Sequence, residues 1–192
     1  MTTPAPATPR PSGRARRERA LLILEDGTVL RGSAYGARGA RFGEVVFTTG
    51  MTGYQETLSD PSYAGQIVVQ TAPHIGNTGA NAEDMESRRV WVRGYAVRDA
   101  SRIASSFRAE QSLDDLLISS DVVGISDIDT RMLTRRLREE GSARGGIFSG
   151  EALEASEEEL LAQVREQPQM AGSSFVGEVT IAQPVVLEPE GG

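Results

Sequence analysis

Cysteine is missing from this sequence altogether, and histidine occurs once, as His74. Without cysteine the chain can form no disulfide bond, hold no zinc ion through thiolates and offer no cysteine nucleophile. A single histidine also excludes metal sites built from several imidazoles. Thiol chemistry and multi-histidine metal chemistry are therefore outside the reach of these 192 residues.

Lysine is absent as well, so arginine supplies all 20 basic side chains against 27 acidic ones, for a net charge of −7. Basic residues cluster only in an N-terminal arm, residues 1–19, which is rich in proline and arginine. This composition predicts a disordered arm. An organelle transit peptide is the alternative, although the prolines disfavour its amphipathic helix. The acidic remainder argues against nucleic acid as a partner.

Long apolar runs are also lacking. No stretch approaches the ~18 consecutive apolar residues that a transmembrane helix needs. The N-terminus has no apolar core of the kind that secretory signals contain. We therefore expect a soluble, cytoplasmic protein with no membrane partner.

Strand patterns dominate the first half of the chain. Asp26 and Gly27 form a pair typical of a two-residue hairpin turn, with strands predicted on either side. The glycines at positions 36, 39 and 43 predict a loop after this hairpin. The apolar and alternating segments that follow predict five further strands, over residues 44–49, 66–71, 89–99, 122–128 and 143–150.

Helical signals appear mainly in the second half. Ser112 is the predicted N-cap of a short helix, SLDDLLISS, whose Asp114 and Asp115 suit the positive end of the helix dipole. The segment DTRMLTRRLREEG predicts the clearest helix, capped by Asp129 or Thr130 and ended by Gly141. Three apolar residues are expected to point inward from it: Met132, Leu133 and Leu137.

A last helix is predicted in SEEELLAQVREQP. Ser156 and Glu159 have the spacing of a capping box, in which each side chain bonds the other's backbone N–H. Leu160, Leu161 and Val164 form its apolar stripe. From residue 168 onward the sequence predicts irregular structure.

Strands first and helices later favour a mixed α/β domain with largely antiparallel strands and packed helices over a doubly wound sheet. No G-x-G-x-x-G joins a strand to a helix, and no G-x-x-x-x-G-K-[ST] occurs. The sequence therefore predicts no nucleotide site and no cofactor in this chain.

Residues 51–79 form the segment richest in residues that present polar side chains from turns. Ser62 and His74, with Asp60 or Asp127, could form the triad of a small serine hydrolase. However, Ser62 lies in S-D-P-S-Y and not in the G-x-S-x-G turn that exposes a nucleophile. The plainer interpretation is two tight turns around a strand, and we predict no catalytic residue.

Other charged residues have structural explanations. Asp127 and Asp129 are too few for a magnesium site, and capping by Asp129 explains its position, so we predict no metal. The arginines of the long helix are balanced by Glu139 and Glu140, which predicts a solvated face. A partner's acidic patch remains the alternative for these four arginines: Arg131, Arg135, Arg136 and Arg138.

Several motifs occur together in an order and spacing that point to one family. They are LEDGTVLRG, GEVVFTTGMTGYQETLSDPSYAGQIV, PHIGNTGAN, DIDTRMLTRRLREEG and ARGGIFSG. Together they resemble the N-terminal domain of the small, glutamine-dependent subunit of carbamoyl-phosphate synthetase. The motifs extend from about residue 24 to residue 150.

That resemblance implies a β/β/α swivelling-type domain that docks against the large subunit of the enzyme. In this family the complex makes carbamoyl phosphate from glutamine, bicarbonate and ATP for arginine and pyrimidine synthesis, and ATP and magnesium belong to the large subunit. A second domain, a glutaminase, carries the catalytic cysteine. The match to D-P-S-Y implies that Ser62 contacts glutamine across the interface with that domain.

The sequence departs from the family in having no cysteine and no recognisable glutaminase domain. We therefore expect residues 1–19 to be an arm, residues 20–150 the N-terminal domain, and residues 151–192 a helix and connector toward a missing glutaminase domain. Such a chain would be truncated and inactive alone. A stand-alone protein-interaction domain is the main alternative, and the small serine hydrolase is the other.

Overall fold

Seven strands close into a barrel in the computed structural model of the chain, which describes residues 18–170 and 174–181. Around the barrel the strands follow the order β1, β2, β6, β5, β4, β3, β7. Their bounds are β1 Arg19–Leu24, β2 Val29–Gly36, β3 Ala40–Thr48, β4 Gln66–Gln70, β5 Gly94–Ala96, β6 Val123–Ser126 and β7 Ala143–Ser149.

The helices lie between and after these strands. They are α1 Tyr54–Ser59, α2 Leu113–Ser119, α3 Thr130–Glu140, α4 Glu157–Glu166 and the single turn α5 Val176–Val179. Two 3₁₀ turns occur, at Pro61–Tyr63 and Gly150–Glu154. The predicted mixed α/β class is confirmed. Within the described ranges, no helix is long and apolar enough to cross a membrane.

Strand pairing divides the barrel into two parts. The four pairs that involve β1, β2, β7 and their neighbours are antiparallel. The run β3–β4–β5–β6 is parallel throughout. Parallel pairing requires long crossover connections. The segments between β3, β4, β5 and β6 supply them and carry α1, α2 and two irregular stretches.

Alternation along the strands produces one interior and two outer apolar clusters. All seven strands contribute to the interior cluster, for example through Leu22 of β1 and Ile67 of β4. The intervening side chains face outward: Val68 belongs to a cluster with residues of α1 and α2, while Leu21 and Ile23 belong to one with residues of α4. Both faces of these strands are buried, which explains why they are almost wholly apolar.

The helix α3 contributes Leu133 and Leu137 to the interior cluster, and it therefore covers one end of the barrel. Both are buried, as predicted, and Asp129 caps the helix by accepting a hydrogen bond from the backbone N–H of Met132 at 3.0 Å. The prediction that Met132 points inward is wrong, because its side chain is 41% exposed. The angle of 100° per residue turns Met132 away from the two leucines.

The other predicted caps are confirmed. Ser112 accepts from the N–H of Asp115 at the start of α2, and Ser156 and Glu159 form the capping box of α4. The β1–β2 hairpin is also confirmed, but its turn is longer than two residues. Leu24 N–H still bonds the Thr28 carbonyl, and Gly27 takes a φ of +95°. That left-handed position is typical of three-residue hairpin loops.

Three predictions about the first half of the barrel need correction. The predicted loop through Gly43 ends earlier, because β3 begins at Ala40. Gly43 lies within the strand, where a Cβ atom would stand 2.5 Å from the Gly65 carbonyl oxygen, so close approach explains this glycine. Residues 54–59, predicted as turns, form α1, and only Gly94–Ala96 of the predicted strand 89–99 is a strand.

The predictions for the two ends of the chain fall mostly outside the described residues. Of the predicted arm, residues 1–17 lie there, as do residues 171–173 and 182–192 of the predicted connector. Strand β1 begins at Arg19, one residue before its predicted start.

Candidate functional site

Ser62 lies on the 3₁₀ turn that links α1 to β4. The side chain of Asp60 closes this turn by accepting a hydrogen bond from the Ser62 backbone N–H at 2.8 Å, and Pro61 opens the 3₁₀ helix with its fixed φ. The Ser62 side chain is exposed, and its hydroxyl bonds no residue that the structure describes. The turn therefore presents a hydroxyl that can both donate and accept.

The end of α1 beside this turn is tied to the following loop by a chain of hydrogen bonds. Ser59 Oγ donates to the Gln55 carbonyl at 2.8 Å and accepts from the Glu86 N–H at 2.9 Å. Ser87 Oγ donates to the Ser59 carbonyl at 2.6 Å and accepts from Trp91 Nε1 at 2.7 Å. These buried and partly buried bonds hold the segment before Ser62 in one conformation.

A second set of buried bonds fixes the start of α1. The Tyr54 hydroxyl donates to the Gly79 carbonyl at 2.5 Å and lies 2.8 Å from Thr78 Oγ1. Burial raises the pKa of Tyr54. The side-chain amide of Gln55 bonds both the carbonyl and the N–H of Asn81, at 2.5 and 3.1 Å. No local sequence pattern predicts these bonds, because their partners are some 25 residues away in the chain.

A cleft of about 330 Å³ opens beside the start of α1. Residues 51–56 form one wall. The other lining residues are His74, Ile75, Asn77, Thr78, Gly79, Asn81, Asp84, Ser106 and Arg108. Arg108 is anchored to Asp84 at 2.6 Å. The hydrogen bond from the Asn81 side chain is the main cause that lowers the pKa of Asp84, and the ion pair with Arg108 lowers it further. Several polar groups that line the cleft are thus already paired with one another, such as Tyr54 with Thr78 and Asp84 with Arg108.

The structure does not assemble the triad that Ser62 and His74 could have formed. His74 Nδ1 lies 2.8 Å from Asp99 Oδ2, and both side chains are about half exposed. Asp99 was not among the carboxylates considered from the sequence, and Asp60 is used to close the Ser62 turn. No hydrogen bond joins Ser62 to His74 in the described part of the chain.

The two aspartates of S-D-I-D-T also have separate positions. Asp129 caps α3, as expected from its position in the sequence. Asp127 adopts a left-handed φ of +65°, and its backbone N–H donates to the Arg98 carbonyl at 3.1 Å. Across residues 18–170 and 174–181, no group of three or more histidine and acidic residues could hold a metal ion.

The arginines of α3 do not all have the partners that the sequence suggested. Arg136 pairs with Glu140, at 3.1 Å, and with Asp26 of the β1–β2 turn. The other three make no ion pair or side-chain hydrogen bond with any described residue, and all are exposed: Arg131, Arg135 and Arg138.

Large apolar side chains are exposed on the loop between β5 and α2. Phe107 is 99% exposed and Ile103 is 72% exposed, although the loop that carries them is anchored. The Ser105 N–H donates to the Asn77 carbonyl at 2.8 Å, and Arg108 pairs with Asp84. An aromatic side chain held in water on an anchored loop is typical of a protein–protein contact.

Comparison with known proteins identifies one family. A family model described as "Carbamoyl-phosphate synthase small chain, CPSase domain" matches residues 22–147. A carbamoyl phosphate synthase small chain of Streptomyces coelicolor is 60% identical over 90% of this chain, and one of Mycobacterium tuberculosis is 56% identical over 90%. One of Bifidobacterium longum is 54% identical over 91%.

The chain spans about 45% of the length of these curated relatives. Among solved structures, an aminopeptidase from Aneurinibacillus aligns with 70% of this chain and 31% of its own, at 13% identity and a TM-score of 0.40. A likeness that low carries no argument about function. The family match covers the barrel except for the first three residues of β1 and the last two of β7. It also covers the Ser62 turn, α1, α2 and α3. The chain therefore belongs to the carbamoyl phosphate synthase small chain family, as its N-terminal CPSase domain.

Proposed function

We propose that this domain docks the small subunit of a glutamine-dependent carbamoyl-phosphate synthetase onto the large subunit and lends Ser62 to the glutamine site. The complete complex would make carbamoyl phosphate from glutamine, bicarbonate and ATP, feeding arginine and pyrimidine synthesis in the cytoplasm. ATP and magnesium would be held by the large subunit. The glutaminase domain would supply the nucleophile that a chain without cysteine cannot.

One observation carries the role of Ser62. Its hydroxyl is exposed at the tip of a turn that Asp60 closes through the backbone, so the hydroxyl is not needed to hold the turn together. A serine that merely stabilised its own turn would use its side-chain oxygen for a local bond. The buried hydrogen bonds of Ser59 and Gln55 also support this position, because a ligand contact needs a pre-organised partner.

The fold is compatible with the swivelling-type label that the family resemblance implies, and we propose that label for it. A mixed sheet with helices on its outer side and α3 at one end gives the domain a rigid body. Rigidity suits a docking piece, since association then orders few side chains. The exposed Phe107 and Ile103 support a docking role, because fully exposed aromatic and aliphatic side chains gain most from burial at an interface.

The test is Ser62→Ala in the complete complex, measured with glutamine and with free ammonia as the nitrogen source. We expect glutamine-dependent synthesis to fall about two- to tenfold, the effect of losing one hydrogen bond of about 0.5–1.5 kcal/mol. Ammonia-dependent synthesis should stay nearly unchanged, because ammonia enters after the glutamine site.

Ser120→Ala is the control, since Ser120, at the C-cap of α2, is partly exposed, lies outside the loop of Ile103 and Phe107, and its hydroxyl bonds no residue in the described ranges. It should leave both rates unchanged. Equal loss with both nitrogen sources in Ser62→Ala would refute the glutamine contact. Failure of the domain to co-purify with the large subunit would favour a stand-alone interaction domain instead.

A further inference from the structure

The face of α3 that points to solvent has an unusual charge distribution. Arg131, Arg135 and Arg138 are spaced i, i+4 and i+7, so at 100° per residue they fall within about 60° of one another around the helix. We call these three residues the arginine face. We propose that the arginine face docks onto an acidic protein surface, which under the proposed function belongs to the large subunit. The identity of that partner rests on the proposed function.

The arginine face is unpaired although the chain has more acidic than basic residues. Arg136, on the same helix, differs from these three residues because it forms ion pairs with both Asp26 and Glu140. Glu139 stands one turn after Arg135 without forming an ion pair with it, and no other described acidic residue reaches the three arginines. Their guanidinium groups are therefore available to a partner.

The arrangement also opposes the stability of the helix itself. Like charges at i and i+4 repel one another, and Arg131 places a positive charge in the first turn, at the positive end of the helix dipole. The first turns of α2 and α4 carry acidic residues, whereas α3 has none there. The N-cap Asp129 and Arg138 in the last turn still suit the dipole of α3, so the unfavourable charges are Arg131 in the first turn and its repulsion with Arg135. A local cost kept on an exposed helix points to a function for these side chains.

The chemistry of the face favours carboxylates of a protein. Each guanidinium presents a planar fork that can bind a carboxylate through two hydrogen bonds. Met132, at the edge of the face, adds an apolar side chain that is 41% exposed. Nucleic acid is the less favoured ligand, because three arginines on a chain of net charge −7 give little attraction for a polyanion.

The experiment measures association of the full-length small subunit with the large subunit by stopped flow at increasing salt. The test variant is Arg131→Gln, Arg135→Gln and Arg138→Gln together. The control is Arg19→Gln, Arg89→Gln and Arg93→Gln, which removes the same charge from three exposed arginines that lie outside α3 and outside the loop of Ile103 and Phe107. For both variants the thermal midpoint is recorded first.

We expect the test variant to associate about tenfold more slowly at low salt, with the difference shrinking as salt rises. The control should change the rate by less than about twofold. The thermal midpoint of the test variant should equal or exceed that of the unaltered protein, because the repulsion in α3 is relieved. Slow association of a test variant that keeps its thermal midpoint would show that binding is lost and not folding.

Equal slowing in both variants, or none in either, would overturn the role of the arginine face while leaving the docking function in place. If the unaltered small subunit does not bind the large subunit at all, both proposals fail. Retention of duplex DNA by the unaltered protein but not by the test variant, with unchanged association to the large subunit, would assign the face to nucleic acid and overturn the proposal.

Discussion

At the scale of single residues, Met132 and Leu137 of α3 lie five positions apart and have opposite environments. Leu137 is 5% exposed inside the barrel end, whereas Met132 is 41% exposed. Leu137→Ala should lower the free energy of unfolding by about 2–5 kcal/mol, because it leaves a cavity in a closed core. Met132→Ala should lower it by less than about 0.5 kcal/mol. Urea unfolding of both variants is the measurement, and equal losses would contradict this placement of α3.

Two features of single residues could not be predicted from the sequence: the exposure of Met132 and the pairing of His74 with Asp99. A methionine next to an apolar stripe fits either the buried edge or the exposed edge of a helix, and only the docking angle of α3 decides between them. Asp99, the partner of His74, is 25 residues away in the chain. No local pattern could choose Asp99 over Asp60 or Asp127.

At the scale of elements, Glu25 and Arg144 join the β1–β2 turn to β7 and to the end of α4. Glu25 accepts from the backbone N–H of Arg144 at 2.9 Å and from its Nε at 2.8 Å. Arg144 Nη1 donates onward to the Gln167 carbonyl at 2.7 Å, and Arg165 Nε donates to the Glu25 carbonyl at 2.8 Å. The bond from the Arg144 N–H is the largest cause that lowers the pKa of Glu25 from its ordinary value of 4.5.

A lowered pKa in the folded state makes this junction sensitive to acid. The ionised carboxylate stabilises the fold above pH 4.5, and this contribution is lost as the pH falls through the lower, folded-state value. Unfolding free energies of the unaltered protein and of Glu25→Gln should therefore converge as the pH falls from about 6 to well below 4.5. Denaturant titrations across that range measure the difference. A constant gap between the two proteins would show that Glu25 does not titrate differently on folding.

At the scale of the whole molecule, we predict that this chain has no glutaminase activity of its own. A protein of these 192 residues has no thiol, and His74 bonds Asp99 and forms no hydrogen bond with Ser62 in the described part of the chain. Amide hydrolysis of glutamine requires an activated nucleophile. The purified chain should therefore release no ammonia from glutamine beyond a heat-denatured sample, as measured by a coupled ammonia assay. Release above that background would contradict the assignment of glutaminase chemistry to another domain.

Many features of this molecule are determined by short stretches of its sequence. The absence of cysteine, the caps at Ser112, Asp129 and Ser156, and most of the strands follow from residue types and spacing over a few positions. The family motifs also lie in continuous stretches, so the resemblance could be recognised before the fold was known. These features depend on interactions that act within one or two turns of chain.

Tertiary structure decided the remainder, because those features depend on contacts between distant segments. The parallel run from β3 to β6 and the closure of β1 onto β7 are set by how the crossovers pack. The short α1 forms among turn residues because Tyr54 and Gln55 bond a loop some 25 residues away. The pairing of Arg136 with Asp26 follows only once the barrel has brought the β1–β2 turn to α3.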